Sequence, residues 1–139
     1  MTIYISAKVL FHRKGDFVKA LVVDDAKFMR MKLIELLKKN GCDIVGEAEN
    51  GKIAVKKYIE LKPDIVTMDM VMPVMDGMAA AEKILQYDPG ASIIVVSVNG
   101  LPLLKAEAIK KGVKDYLVKP YHVENLEVIV REMGIRKNR

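Results

Sequence analysis

Tryptophan is absent from this 139-residue sequence, cysteine occurs once, and the other large aromatics amount to three phenylalanines and five tyrosines. The single Cys42 rules out an internal disulfide and fits a reducing compartment. So few rings leave little from which to build the stacking platforms of single-stranded nucleic-acid binders. No apolar run approaches the ~18 residues of a membrane-spanning helix, and the N-terminus lacks the basic start and long apolar stretch of a secretory signal. A soluble cytoplasmic protein without membrane insertion is therefore expected. What is present, 51% hydrophobic and 29% charged residues, is the composition of a folded chain. A chain of this length makes one domain and buries roughly two-thirds of its unfolded surface, so it needs neither disulfides nor a structural metal to fold.

The net charge of +5 is unevenly spread. Lys8, Arg13, Lys14 and Lys19 against Asp16 leave +3 in residues 1–19, and Arg131, Arg136, Lys137 and Arg139 against Glu132 leave +3 in residues 131–139. The body between them, residues 20–130, holds 15 basic and 16 acidic side chains. A nucleic-acid reader carries a basic stripe on its fold. A near-neutral body with basic ends predicts no nucleic-acid partner.

Five apolar, β-branched runs predict strands: Ala20–Asp24, Asp43–Ala48, Asp64–Asp69, Ser92–Ser97 and Asp115–Lys119. Between and after them the apolar spacing predicts helices over Ala26–Lys39, Gly51–Lys62, Gly77–Tyr87, Leu103–Lys111 and Val123–Met133. Stop signals follow them: Asn40-Gly41, Pro63, Asp88-Pro89-Gly90, Gly112 and Gly134. Strand and helix alternating five times imply βαβ units and a parallel sheet. The first, third and fourth runs are almost continuously apolar, as strands buried on both faces should be, and the second and fifth are mixed, as edges are. With right-handed crossovers the simplest order is 2-1-3-4-5, which matches a known pattern, the flavodoxin-like, doubly wound α/β fold, here with five strands and five helices. Residues 18–134 form the domain, with 1–17 an extension and 135–139 a basic tail.

That order reverses direction between strands 1 and 3, and open α/β sheets bind ligands beyond the strand ends at such a point. Asp24-Asp25 end strand 1, Asp69 ends strand 3, Ser97 ends strand 4, and Lys119-Pro120 end strand 5. Each residue alone has an ordinary explanation: Asp25 a helix N-cap, Ser97 a loop hydroxyl, Lys119 a solvated charge. Four polar strand ends around one crevice are not explained that way. Two carboxylates about 4 Å apart repel by roughly 4 kcal/mol at an effective dielectric near 20. With Lys119 as the one cation, three such carboxylates leave two negative charges. A divalent ion closes that balance, and few carboxylates, a backbone carbonyl and waters suit Mg²⁺ better than an all-protein Ca²⁺ cage.

These residues, with Met72-Pro73 and Asp76-Gly77 after Asp69, resemble the two-component response-regulator receiver domain over about residues 18–133. Stretches such as VVDDAKFMRMKL and DIVTMDMVMPVMDG are most similar to the single-domain chemotaxis response regulators. The strand order is the one already known for that family and for flavodoxin. The resemblance implies that Asp69 accepts a phosphoryl group from the phosphohistidine of a sensor histidine kinase. It implies that Asp25, Asp69 and the Val71 carbonyl hold Mg²⁺, with Asp24 acting through water. Lys119 and Ser97 would each bind a phosphoryl oxygen, and Tyr116 would be the switch aromatic whose ring turns inward when Ser97 is recruited. The added group carries about −1.5 to −2 charge and three acceptor oxygens, enough to bias a two-state surface. Helix 4, strand 5 and helix 5 are most directly attached, so the output partner is expected there.

Three departures stand out. Val98 follows Ser97 where the family usually has a smaller residue, which predicts restricted access to Asp69 and slower phosphorylation. Val71 and Asn99 occupy positions at which members differ and tune hydrolysis, and Tyr121 replaces the commoner Phe. Five methionines around the acceptor, Met68, Met70, Met72, Met75 and Met78, read as adaptable packing.

Other classes fit less well. Gly46–Lys52 spells the G-x-x-x-x-G-K of a nucleotide-binding P-loop, but Ile53 stands where that motif needs Ser or Thr. A phosphatase with an aspartate nucleophile needs D-x-D after strand 1, where this chain has Asp24-Asp25-Ala26. His12 and His122 lie in the extension and at the start of helix 5, poorly placed for a metal. With helix 5 ending near Met133, output by protein contact is expected. A flagellar motor switch in chemotaxis comes first, a phosphorelay intermediate second, and an unphosphorylated receiver last. In residues 1–17, Ile3, Ile5, Ala7, Val9 and Phe11 alternate with Thr2, Tyr4, Ser6, Lys8 and Leu10, which reads as an extra edge strand or a disordered leader. A mostly monomeric protein is expected, or a dimer should that segment pair between chains.

Overall fold

The computed structural model describes residues 17–137. Residues 1–16 of the extension, His12 among them, and any dimer built through them lie outside the described residues. Five strands, β1 (Val18–Val23), β2 (Cys42–Ala48), β3 (Ile65–Met68), β4 (Ile93–Ser97) and β5 (Asp115–Val118), form one parallel sheet in the order β2-β1-β3-β4-β5. Helices α1 (Lys27–Lys39), α2 (Gly51–Leu61), α3 (Gly77–Tyr87), α4 (Pro102–Lys110) and α5 (Val123–Lys137) connect and follow them. The flavodoxin-like order expected from hydropathy and the known pattern is the order observed. Strands β3 and β4 are buried at every position, whereas β2 and β5 carry exposed residues, as edge strands do.

The two-residue period of each strand splits the core into two layers. Val18, Ala20, Val22, Ile65, Ile94 and Val96 face α1 and α5, where Leu33, Leu37, Leu126 and Val130 cover them. Leu21, Val23, Val66, Met68, Ile93 and Val95 face α2, α3 and α4, against Ala54, Tyr58, Ala80, Ile84 and Ala108. Small alanines on α2 and α3 let those helices lie close to the sheet. Each fully buried Leu, Ile or Val contributes about 1.5–3 kcal/mol, so this double layer supplies most of the driving force for folding. Cys42 is among the buried residues, and burial pushes its thiol up to about 12, which leaves it an unreactive apolar side chain at neutral pH.

Caps set the helix starts that matter for function. The Asn50 side chain accepts from Ile53 N at 2.9 Å, and Asp76 accepts from Ala79 N at 2.8 Å. Asp25, for which an N-cap was the ordinary explanation, does not cap α1: the N-cap position is Ala26, without a side-chain bond. Gly134 does not stop α5, which runs on to Lys137 and takes in the start of the stretch read as a basic tail. One glycine costs a helix only about 1 kcal/mol, and no proline follows to break the backbone ladder.

Candidate functional site

Strands β1 and β3 are neighbours, and the chain leaves their ends in opposite senses, so the loops above them part and open a crevice. Asp69 N–H donates to Val23 O at 3.0 Å, and Asp24 N–H donates to Ala48 O at 3.1 Å. These bonds extend the ladder one residue past each strand and bring the acidic positions side by side. One carboxylate oxygen from each of Asp24, Asp25 and Asp69 lies within 4.8 Å of the others. Asp24 is buried, Asp69 half-buried and Asp25 exposed, so the cluster opens to solvent on one side.

Lys119 reaches across from the end of β5 and places Nζ 3.2 Å from Asp24 Oδ2. The other Asp24 oxygen accepts from Ala26 N at 2.9 Å, and Arg30 Nη1 donates to the Asp24 carbonyl at 2.7 Å. Asp24 is therefore held rigidly, while Asp69 is left with excess negative charge beside it. Burial, then the Asp24 charge, push the Asp69 carboxyl above its ordinary value, with Asp25 adding to this and Lys119 opposing it. Three carboxylate oxygens within 4.8 Å of one another offer hard ligands to a divalent cation such as Mg²⁺. The donor set is all hard oxygen, and the uncompensated charge is that of a divalent ion.

A stability consequence follows. Asp69 prefers its protonated form in the fold more than in the unfolded chain, so its contribution is fully present below 3.8 and is lost as pH rises through the raised value. Asp69→Asn is therefore expected to raise Tm in metal-free buffer at pH 7. The gain should shrink as pH falls towards 3.8 and narrow when Mg²⁺ is added, as thermal melts with and without chelator will read.

Ser97 and Tyr116 meet at Asn99. Ser97 Oγ accepts from Asn99 N at 3.1 Å, and Tyr116 Oη donates to Asn99 O at 2.6 Å. Tyr116 is 2% exposed, so its ring is already inside. Val98 projects to solvent, and it lines the same cavity as Asp69. Val71 is exposed on the loop after Asp69. Met68 and Met72 belong to the core, with Met70, Met75 and Met78 packed against it, as a packing role requires.

Arg30 and Thr67 were not singled out from the sequence, and Gly77 was named there only as a helix start and part of the family motif. Arg30 is hidden on α1 among other basic residues. Gly77 looks like a plain helix start, yet a Cβ there would overlap the Asp69 carbonyl. Thr67 looks like strand filler, but it lines the cavity beneath the carboxylates. The nucleotide-loop reading of Gly46–Lys52 is overturned: Gly46, Glu47 and Ala48 are strand, paired with Leu21, Val22 and Val23, so no loop of that length wraps a phosphate. His122 sits just before α5, and its carbonyl accepts from Asn125 N at 3.0 Å.

A sequence model of the response regulator receiver domain matches residues 20–131. The chain is 53% identical to the chemotaxis protein CheY of Thermotoga maritima over 103 residues, covering 74% of this chain and 86% of that protein. It is 48% identical to CheY of Bacillus subtilis over 117 residues, covering 84% and 98%. A solved complex of CheX and CheY with BeF3 and Mg²⁺ from Borrelia burgdorferi superposes with a TM-score of 0.78 at 33% identity, covering 86% and 89%. Among the described residues no helix is long and apolar enough to cross a membrane. Matched over most of its length in sequence and in fold, the chain belongs to the response regulator receiver domain family of two-component signalling and is CheY-like, a signalling protein and not a conventional enzyme.

Proposed function

We propose that this receiver is a phosphoacceptor switch in chemotaxis, with Asp69 as the acceptor and a sensor histidine kinase as the donor. An Asp69 carboxylate oxygen attacks the phosphorus of the phosphohistidine, the P–N bond breaks, and the imidazole leaves with its electron pair. Asp25, Asp69 and the Val71 carbonyl would hold Mg²⁺, with Asp24 acting through water; the ion supplies positive charge for the phosphoryl oxygens. Lys119 turns from Asp24 to a phosphoryl oxygen and neutralises charge that grows as the group transfers. Ser97 gives up the Asn99 N–H and donates its own proton to a second phosphoryl oxygen. The observation that carries this reading is the triad of Asp24, Asp25 and Asp69 with oxygens inside 4.8 Å and Lys119 on its rim.

The signal leaves through the loop after β4. Because Asn99 is bonded by both Ser97 and Tyr116, withdrawing Ser97 frees one side of that loop and shifts the base of α4. The face made by α4, β5 and α5 exposes Leu101 before α4, Leu103 on α4, Val118 on β5 and Val128 on α5. An apolar set of this kind supports contact with an output protein, and the likeness to chemotaxis proteins makes a flagellar motor switch the first candidate. Incubation with acetyl phosphate and Mg²⁺ tests the chemistry. A mass gain of one phosphoryl group is expected, absent with chelator and absent in Asp69→Asn. An unchanged wild-type mass, or a gain that survives Asp69→Asn, refutes it.

A further inference from the structure

The cavity beneath the carboxylates carries a group that phosphoryl transfer as described above does not use. Thr67 lies two residues before Asp69, so both belong to the sheet face covered by α1 and α5, as does Ile65. Thr67 is 1% exposed, and its Oγ1 is the one buried side-chain polar atom among the described residues with no hydrogen-bond partner in the protein. Burying a hydroxyl without a partner is unfavourable, and valine offers the same shape and strand preference without that cost. A threonine here therefore calls for a partner.

Thr67 is among the residues lining a cavity of about 580 Å³ between α1 and the start of α5. Most of the lining is apolar, including Leu33, Leu36 and Val96, but one end holds Asp24, Asp69 and Lys119. A buried water needs two to four polar partners and room for itself. The lining brings Thr67 together with two carboxylates and an ammonium.

We propose that Thr67 is a positioning residue for phosphoryl transfer: its hydroxyl holds a water shared with Asp69 and Lys119, and that water fixes the rotamer of the acceptor carboxylate. The inference rests on Asp69 as acceptor. A carboxylate held by two bonds keeps one oxygen turned towards the donor, whereas one free to rotate spends time in unreactive orientations. Thr67 touches neither the donor nor the transferred group, so its effect falls on the maximal rate and not on the donor concentration giving half of it.

The test compares wild type, Thr67→Val and Thr67→Ser with acetyl phosphate at saturating Mg²⁺, and determines wild-type and Thr67→Val crystal structures at high resolution. Thr67→Val is expected to melt no lower than wild type, because it removes a hydroxyl without a protein partner. It should reduce the maximal rate about fivefold, the worth of one ordinary hydrogen bond, with the half-saturating donor concentration unchanged. Thr67→Ser should restore the rate to within about twofold, since it keeps the hydroxyl. Density for a water within hydrogen-bond reach of Thr67 Oγ1 and Asp69 is expected in wild type and not in Thr67→Val. A Thr67→Val rate equal to wild type, a slowed rate that serine does not rescue, or wild-type density without that water overturns the inference while leaving Asp69 as acceptor. A wild-type protein that takes no phosphoryl group overturns both.

Discussion

Lys119→Met is expected to slow phosphorylation of Asp69 by acetyl phosphate by about a hundredfold or more, the usual cost of removing one preorganised charge from a developing oxyanion. Methionine keeps the apolar stem of the lysine, so the walls of the crevice stay filled. What is lost is the ammonium at the rim of three carboxylates, 3.2 Å from Asp24. The side chains of the pair are only 17% and 10% exposed, so its loss also affects folding. Stripping one partner from a buried pair costs about 3–5 kcal/mol, and a crevice open on one side places this case at about 3 kcal/mol or less. Mg²⁺ should return most of that stability, because it replaces the missing positive charge. It should return little of the rate, because the phosphoryl oxygen still lacks its ammonium. Denaturant titrations with and without Mg²⁺, run beside labelling kinetics, separate the two effects. A variant labelled as fast as wild type would reduce Lys119 to a structural counter-ion.

Gly77→Ala should destabilise the protein by about 3 kcal/mol, at the upper end of the cost of overpacking. In an ordinary helix the same change is stabilising by up to about 1 kcal/mol, so the expected sign is reversed. Gly77 opens α3, and its N–H donates to Met70 O at 2.9 Å, which draws the helix start onto the loop after β3. An added Cβ would overlap Asp69 O and stand 2.8 Å from Asp69 C and 2.9 Å from Met70 Cα. These are backbone atoms and cannot swing aside, so either α3 or the peptide carrying Asp69 must move. Labelling of Asp69 should therefore fall together with stability, since the acceptor sits on the displaced peptide. Gly90→Ala serves as the control: a Cβ there meets only Asp88 Oδ1 at 3.4 Å, and the change should stay within about 0.5 kcal/mol. Equal denaturation midpoints for wild type and Gly77→Ala would mean that this close approach is relieved at no cost.

The sheet order was legible because burial on both faces leaves a local mark. Ile65–Met68 and Ile93–Ser97 are apolar at nearly every position, while the edge run at Cys42 mixes Asp43, Gly46 and Glu47 into its length. The carboxylate cluster was legible for a related reason: Asp24, Asp25 and Asp69 sit at strand ends, and parallel strands in that order carry their ends to one rim. The end of α5 was not legible, because a lone Gly134 reads as a stop unless a competing cap or proline decides the matter. Nor was the conformation of Tyr116, whose ring direction depends on a carbonyl 17 residues away in the chain.

Hydrophobic period, strand-end chemistry and the order of the elements are properties of neighbouring residues, so composition along the chain was enough to imply a doubly wound sheet with an acidic rim and one ammonium. Which atoms touch is a property of elements brought together from far apart. Only in the folded molecule does Lys119 reach Asp24 across 95 positions, Gly77 close on the Asp69 carbonyl, and Thr67 line one cavity with Asp24 and Asp69. Those contacts depend on spacings between elements set to within a few tenths of an ångström, and no local pattern of residue types encodes distances that finely.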